Sequence, residues 1–84
     1  LYAHNNRKIT NVNHMDKLQI LNASGDCGID DDGIKMINLK ELYASGNAKI
    51  TNVNHMDKLQ ILCASCDCGI GDGGIKMVNL RELY

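Results

Sequence analysis

Residues 1–41 and 42–82 align without a gap, and 32 of their 41 positions are identical. A chain that repeats itself at so short an interval cannot build one globule with a different environment at each position. Each copy has to adopt nearly the same structure and bury its apolar face against its neighbours. Each block divides again. The leading leucines are Leu18, Leu39, Leu59 and Leu80, spaced 21, 20 and 21 residues apart. A second leucine follows in each frame: Leu1, Leu21, Leu42, Leu62 and Leu83. Ala3, Ala23, Ala44 and Ala64 come next, then a polar anchor at Asn6, Asp26, Asn47 and Asp67, then Ile9, Ile29, Ile50 and Ile70. The unit is therefore about 20 residues long and occurs in two alternating types.

The stretch Leu39–Ile50 shows what one unit does. Its apolar positions stop at Gly46-Asn47, too soon for a helical stripe. Lys40–Ser45 instead suits a short strand, with Leu42 and Ala44 inward and Glu41, Tyr43 and Ser45 outward. Strands that recur in this way pair in parallel, and parallel pairing needs a crossover, for which the rest of each unit provides the length. The crossovers are of two kinds. After Ile50, apolar residues fall at Val53, Met56 and Leu59, a three-residue spacing that predicts 3-10-like turns. After Ile70 the run Gly71-Asp-Gly-Gly-Ile75 predicts one short helical turn, with Ile75 and Val78 inward and glycines admitting positive φ. The anchor sits where the chain leaves the strand and buried backbone groups need partners. Asn6, Asp26, Asn47 and Asp67 could form a side-chain ladder, Asn amide to Asp carboxylate. Alternatively, Asp26 and Asp67 accept only from local turn amides.

The frame L-x-x-L-x-A-x-x-N-x-x-I, carried by Leu39, Leu42, Ala44, Asn47 and Ile50, resembles the leucine-rich repeat family. That family's pattern is L-x-x-L-x-L-x-x-N/C-x-L at about 20–29 residues. The resemblance covers essentially the whole chain. It departs from the pattern in having Ala for Leu at the sixth position and Asp for Asn in alternate units. It implies an α/β right-handed solenoid with a parallel sheet on the concave side and short helical or 3-10 turns on the convex side. The near-identity of the copies is also similar to repeat arrays of large amoebal viruses and protists. Residues 1–84 read as one array, a window of a longer one, with no internal domain boundary. Both ends expose the frame without a polar capping unit, which predicts head-to-tail stacking on further units or other copies.

Composition narrows function more by exclusion than by assignment. A net charge of −1 gives no electrostatic basis for nucleic acid or anionic membrane as a partner. No apolar run approaches the roughly 18 residues of a spanning helix. The cysteines Cys27, Cys63, Cys66 and Cys68 crowd into limited stretches rather than forming a distributed framework, so they read as free thiols in a reducing compartment. Cys63, Cys66 and Cys68 could in principle hold a soft metal. The matching stretch of the first block has a single thiol, and strand alternation splays the three, so no metal or cofactor is assigned. Asp30-Asp31-Asp32-Gly33 lacks the alternating oxygens and distal Glu of a calcium loop and reads as a solvated turn. His4, His14 and His55 stand beside no nucleophile, and Gly69–Gly74 lacks the Lys-Ser/Thr of a phosphate loop. An enzyme is not expected.

The strand surface is what remains. Tyr2, Tyr43 and Tyr84 recur outward in alternate units, and Ile20, Glu41, Ile61 and Glu82 form a second row. Exposed Tyr and Ile in rows suit a protein-binding face; the alternative is that the rows only stack on each other. The expected function is a non-enzymatic structural or protein-interaction scaffold that self-associates end to end. The alternative is a recognition module that binds a protein or peptide on its concave face.

Overall fold

The structure, a computed structural model, describes residues 1–65, 68–76, 78 and 80–84. Its elements in chain order are β1 (Ile20–Asn22), α1 (Asp31–Ile34), β2 (Glu41–Tyr43), β3 (Ile61–Cys63), α2 (Asp72–Ile75) and β4 (Glu82–Leu83). The four strands form one all-parallel sheet in the order β1-β2-β3-β4. A parallel bridge between Tyr2 and Asn22 continues the sheet beyond β1. The register aligns Leu21, Leu42, Leu62 and Leu83 across the strands, so the repeating leucine becomes one row on the inner face.

The strands are shorter than the Lys40–Ser45 segment expected, but the backbone ladder covers that whole length. Lys40 donates its N–H to Gln19 O at 2.8 Å, and Ala44 and Gly46 donate to Cys63 O and Ser65 O at 2.8 and 3.1 Å. Alternation then decides the faces. Leu21, Ala23, Leu42, Ala44 and Leu62 are fully buried, while Glu41 and Tyr43 are only half-buried on the opposite side. Alanine at the second inward position keeps that layer thin. Val12, Ile29, Ile34, Leu39, Ile50, Val53, Met56 and Leu59 complete a continuous core between sheet and crossovers. Each fully buried aliphatic side chain contributes about 1.5–3 kcal/mol.

The three-residue spacing in the first kind of crossover folds as expected. Met56 N–H reaches Val53 O at 3.0 Å, and Leu59 N–H reaches Met56 O at 3.1 Å. Met15 and Leu18 repeat this at 2.9 and 3.0 Å. Successive turns of three residues thus bring Val53, Met56 and Leu59 to one side. In the second kind, α1 and α2 are single helical turns. Asp30 caps α1 by accepting the Gly33 N–H at 2.9 Å. Gly71 stands at the same place before α2 and makes no side-chain bond. Asp30→Ala is expected to lower stability by about 1 kcal/mol, read from the urea midpoint.

The glycines of this crossover serve a different purpose from the one expected. Positive φ occurs at Gly25, Gly46 and Asn5, which end the strand segments, and not at the glycines of α1 or α2. Gly33 and Gly74 are required by close approach. A Cβ at Gly33 would lie 2.2 Å from Thr10 O, and one at Gly74 would lie 2.0 Å from Thr51 O. The crossovers of neighbouring units therefore touch backbone to backbone. Val12 and Val53 seal the contact by donating to Gly33 O and Gly74 O, each at 2.9 Å.

Candidate functional site

Two groups of residues carry the arrangement: a polar column at the end of the strands, buried at Cys27 and Asn47, and the exposed face of the sheet.

The polar column corrects the expected ladder. Asn47 is buried, and its Nδ2 donates to Ala23 O at 2.8 Å and Ile29 O at 3.2 Å, both in the preceding unit. Its Oδ1 accepts the Lys49 N–H at 2.9 Å. Asp26, which the frame aligns with Asn47, is exposed and pairs instead with the Arg7 guanidinium, whose Nε donates to it at 2.7 Å. That hydrogen bond is the main reason the Asp26 carboxyl lies below, and the Arg7 guanidinium above, its ordinary pKa. The residue that takes the anchor place is Cys27. It is fully buried and accepts the Ile29 N–H through Sγ at 3.4 Å, as Asn47 accepts two residues on and as Asn6 accepts Lys8 N–H at 3.0 Å. Gly28 N–H donates to Asn6 O at 3.1 Å and Gly69 N–H to Asn47 O at 3.0 Å, which sets Cys27 beside Asn6 and Cys68 beside Asn47. Asp67 lies outside the described residues.

The physical reason is one extra residue in the turn. Asn47 follows Leu42 by five residues and Cys27 follows Leu21 by six, so a rigid frame lands one place early on Asp26. The signal that could have found it is the recurrence of cysteine between the blocks. Cys27 and Cys68 are one full block apart, whereas Cys63 and Cys66 replace Asn22 and Gly25.

The thiols do not gather in one place. Cys63 is half-buried on the exposed sheet face, 3.2 Å from Ser45 Oγ, while Cys68 points to Ala64 O at 2.7 Å in the turn. Cys27, Cys63 and Cys68 are free thiols, and Cys66 lies outside the described residues. No group of three metal-ligating side chains occurs among the described residues.

The acidic run is exposed at Asp30 and Asp32 and half-buried at Asp31, and two of its carboxylates also take partners. Besides the Asp30 cap, the Asp31 carboxylate accepts from Thr51 N at 2.7 Å, Asn52 N at 3.2 Å and the Thr51 hydroxyl, so it ties one unit to the next. Asn13 adds a second tie, donating to Asp32 O and accepting from Met36 N, each at 2.8 Å. His55 Nε2 lies 3.0 Å from Ile34 O. His4 and His14 are both exposed.

On the exposed face the register interleaves the rows. Tyr2, Asn22, Tyr43, Cys63 and Tyr84 follow one another across the sheet, as do Ile20, Glu41, Ile61 and Glu82. Ile20 and Tyr2, at one edge of this face, are 44% and 81% exposed, whereas Glu41, Tyr43, Ile61 and Cys63 are half-buried by their neighbours. Tyr43 donates its hydroxyl to Glu41 Oε1 at 2.7 Å, and Tyr84 donates likewise to Glu82. Those hydrogen bonds are the first cause of the raised pKa of both tyrosines. The raised value means that the bond holds below the ordinary tyrosine range and is lost as pH rises through the folded pKa. Glu41→Gln is expected to move the Tyr43 ionisation back toward the ordinary tyrosine value, followed by ultraviolet absorbance during alkaline titration.

Comparison with protein-family models, with curated proteins and with solved structures returns no match.

Proposed function

We propose that the chain is a segment of a leucine-rich repeat solenoid acting as a non-enzymatic scaffold that associates with further copies of itself end to end. One observation supports this most. Leu62, Ala64, Ile70, Ile75 and Leu83 line an apolar depression with Tyr84. Their counterparts one block earlier, Leu21, Ala23, Ile29, Ile34 and Leu42, are fully buried by the unit that follows them. The same surface is thus covered inside the chain by a partner of known shape, and that partner is another copy of the unit. A head-to-tail contact of this kind propagates as a filament wherever its rotation does not close a ring. Light scattering over a concentration series tests it. Mass should grow continuously with concentration, and Leu83→Glu should stop the growth while circular dichroism stays unchanged. A monodisperse single chain at high concentration would sink the proposal.

A second reading is favoured by the open Tyr and Ile rows: recognition of a protein or peptide on the sheet face. Tyr43 and Ile61 lie on that face and not in the core. Replacing both with Ala should abolish partner binding while the fold survives, and retained binding would count against this reading.

A further inference from the structure

The spacing of the tyrosines across the sheet is specific enough to name a ligand class. Tyr2, Tyr43 and Tyr84 stand on every second strand, with Asn22 and Cys63 between them. Two parallel strand spacings separate neighbouring rings by about 9.6 Å. A polyproline II helix repeats every three residues, or about 9.3 Å. An extended strand repeats its side chains at about 6.7 Å, which falls out of step after one ring. An α-helix comes back to the same face after seven residues, about 10.5 Å, and overshoots at each step.

The chemistry between the rings fits the same ligand. Asn22 and Cys63 are smaller than tyrosine and leave a trough on each side of Tyr43. Asn22 has its Oδ1 occupied by the Ser24 N–H at 3.1 Å, which leaves its amide hydrogens as donors on the exposed face. A polyproline II segment has no internal hydrogen bonds, so its carbonyls need such donors. Beside the tyrosine row stand Glu41 and Glu82, each holding a tyrosine hydroxyl and two strand spacings apart. A carboxylate at every polyproline II turn selects a cation at every third residue. Lys40 and Arg81 sit one residue outside this row, at the strand entrances, and carry charge of the opposite sign. The arginines of a ligand therefore meet the carboxylates from the tyrosine side of the row, away from Lys40 and Arg81.

We propose that the exposed sheet face, through Tyr2, Tyr43 and Tyr84 with Asn22, Glu41 and Glu82, binds a proline-rich segment in polyproline II conformation bearing an arginine at every third residue. The ligand runs across the strands, its prolines in the troughs beside Tyr43 and its arginines over the Glu41–Glu82 row. The span from Tyr2 to Tyr84 takes about six residues of ligand. This rests on the reading of the sheet face as a recognition surface.

The test uses the intact chain and a fluorescein-labelled peptide of repeated Pro-Pro-Arg, about twelve residues long, read by fluorescence anisotropy. A Gly-Gly-Arg repeat matches its charge without its conformation, and a Pro-Pro-Glu repeat matches its conformation with opposite charge. Saturable binding of the Pro-Pro-Arg peptide alone is expected. Tyr43→Ala should weaken it about tenfold. Glu41→Gln should weaken it less, and Tyr43→Phe should leave most of it. Circular dichroism of each variant checks the fold. Equal binding of the Gly-Gly-Arg peptide, or no effect of Tyr43→Ala, would overturn the proposal. A display selection of random extended peptides separates the two levels. A selected peptide that needs Tyr43 and Ile61, with no Pro-Pro-Arg binding, overturns the polyproline ligand and keeps the recognition face. Failure of both removes the face as well.

Discussion

Asn47→Ala is expected to destabilise the fold by about 3 kcal/mol, because it strands two buried carbonyls and one turn amide. Asn47 Nδ2 serves Ala23 O and Ile29 O, and its Oδ1 serves Lys49 N–H. Each buried backbone group left without a partner costs about 1–3 kcal/mol, so the losses add toward that figure. Asn47→Asp should be worse than Asn47→Ala. It keeps the acceptor for Lys49 but sets a carboxylate oxygen against the two carbonyls. Asp26→Asn is the contrasting case. Asp26 is exposed and its side chain pairs only with Arg7 among the described residues, so the midpoint should stay where it is. Urea unfolding followed by far-ultraviolet circular dichroism separates them. If Asp26→Asn matched Asn47→Ala, the anchor would be the carboxylate row and not the Asn–Cys column.

Gly33→Ala is the second large effect, about 3 kcal/mol of destabilisation at the upper end of ordinary overpacking. The new Cβ would meet Thr10 O at 2.2 Å and Asn11 Cα at 3.4 Å, atoms of the neighbouring backbone that cannot rotate away. The two crossovers would have to separate, lengthening the Val12–Gly33 bond and the Asn13 ties to Asp32 and Met36. Gly73→Ala, in the other helical turn, supplies the control. A Cβ at Gly73 would meet nothing within 4 Å, so alanine is expected to stabilise by about 0.4–1 kcal/mol through the unfolded chain. Thermal melts of the two variants should therefore move in opposite directions.

These two effects also mark where the amino-acid pattern runs out. The parallel sheet was legible because Leu21, Leu42, Leu62 and Leu83 recur beside Ala23, Ala44 and Ala64, and period-two burial allows no other facing. The three-residue turns were legible in Val53, Met56 and Leu59 for the same reason. The anchor was not, since a single extra residue between Leu21 and Cys27 shifts the turn while the apolar frame stays in step. Nor was the role of Gly33 and Gly74. A glycine needed for its backbone conformation and one needed for a neighbour's approach look alike in one chain, and only the carbonyls of Thr10 and Thr51 tell them apart. The inter-unit bonds of the acidic run were not legible because their donors, Thr51 and Asn52, lie a full unit away. On the exposed face, the Tyr and Ile rows were visible as periodic residues. The pairing of Tyr43 and Tyr84 with the glutamate two residues before each needed the strand conformation to appear.

The proposal that successive units stack as a solenoid makes one demand that a closed globule does not: another block must join the same cooperative structure. Appending a further copy of residues 44–84, which continues the repeat in frame after Tyr84, and measuring urea unfolding tests this most directly. Solenoid stacking predicts one transition, a higher midpoint and a denaturant slope larger by about half, in proportion to the surface added. An unchanged midpoint and slope, or a separate second transition, would contradict it.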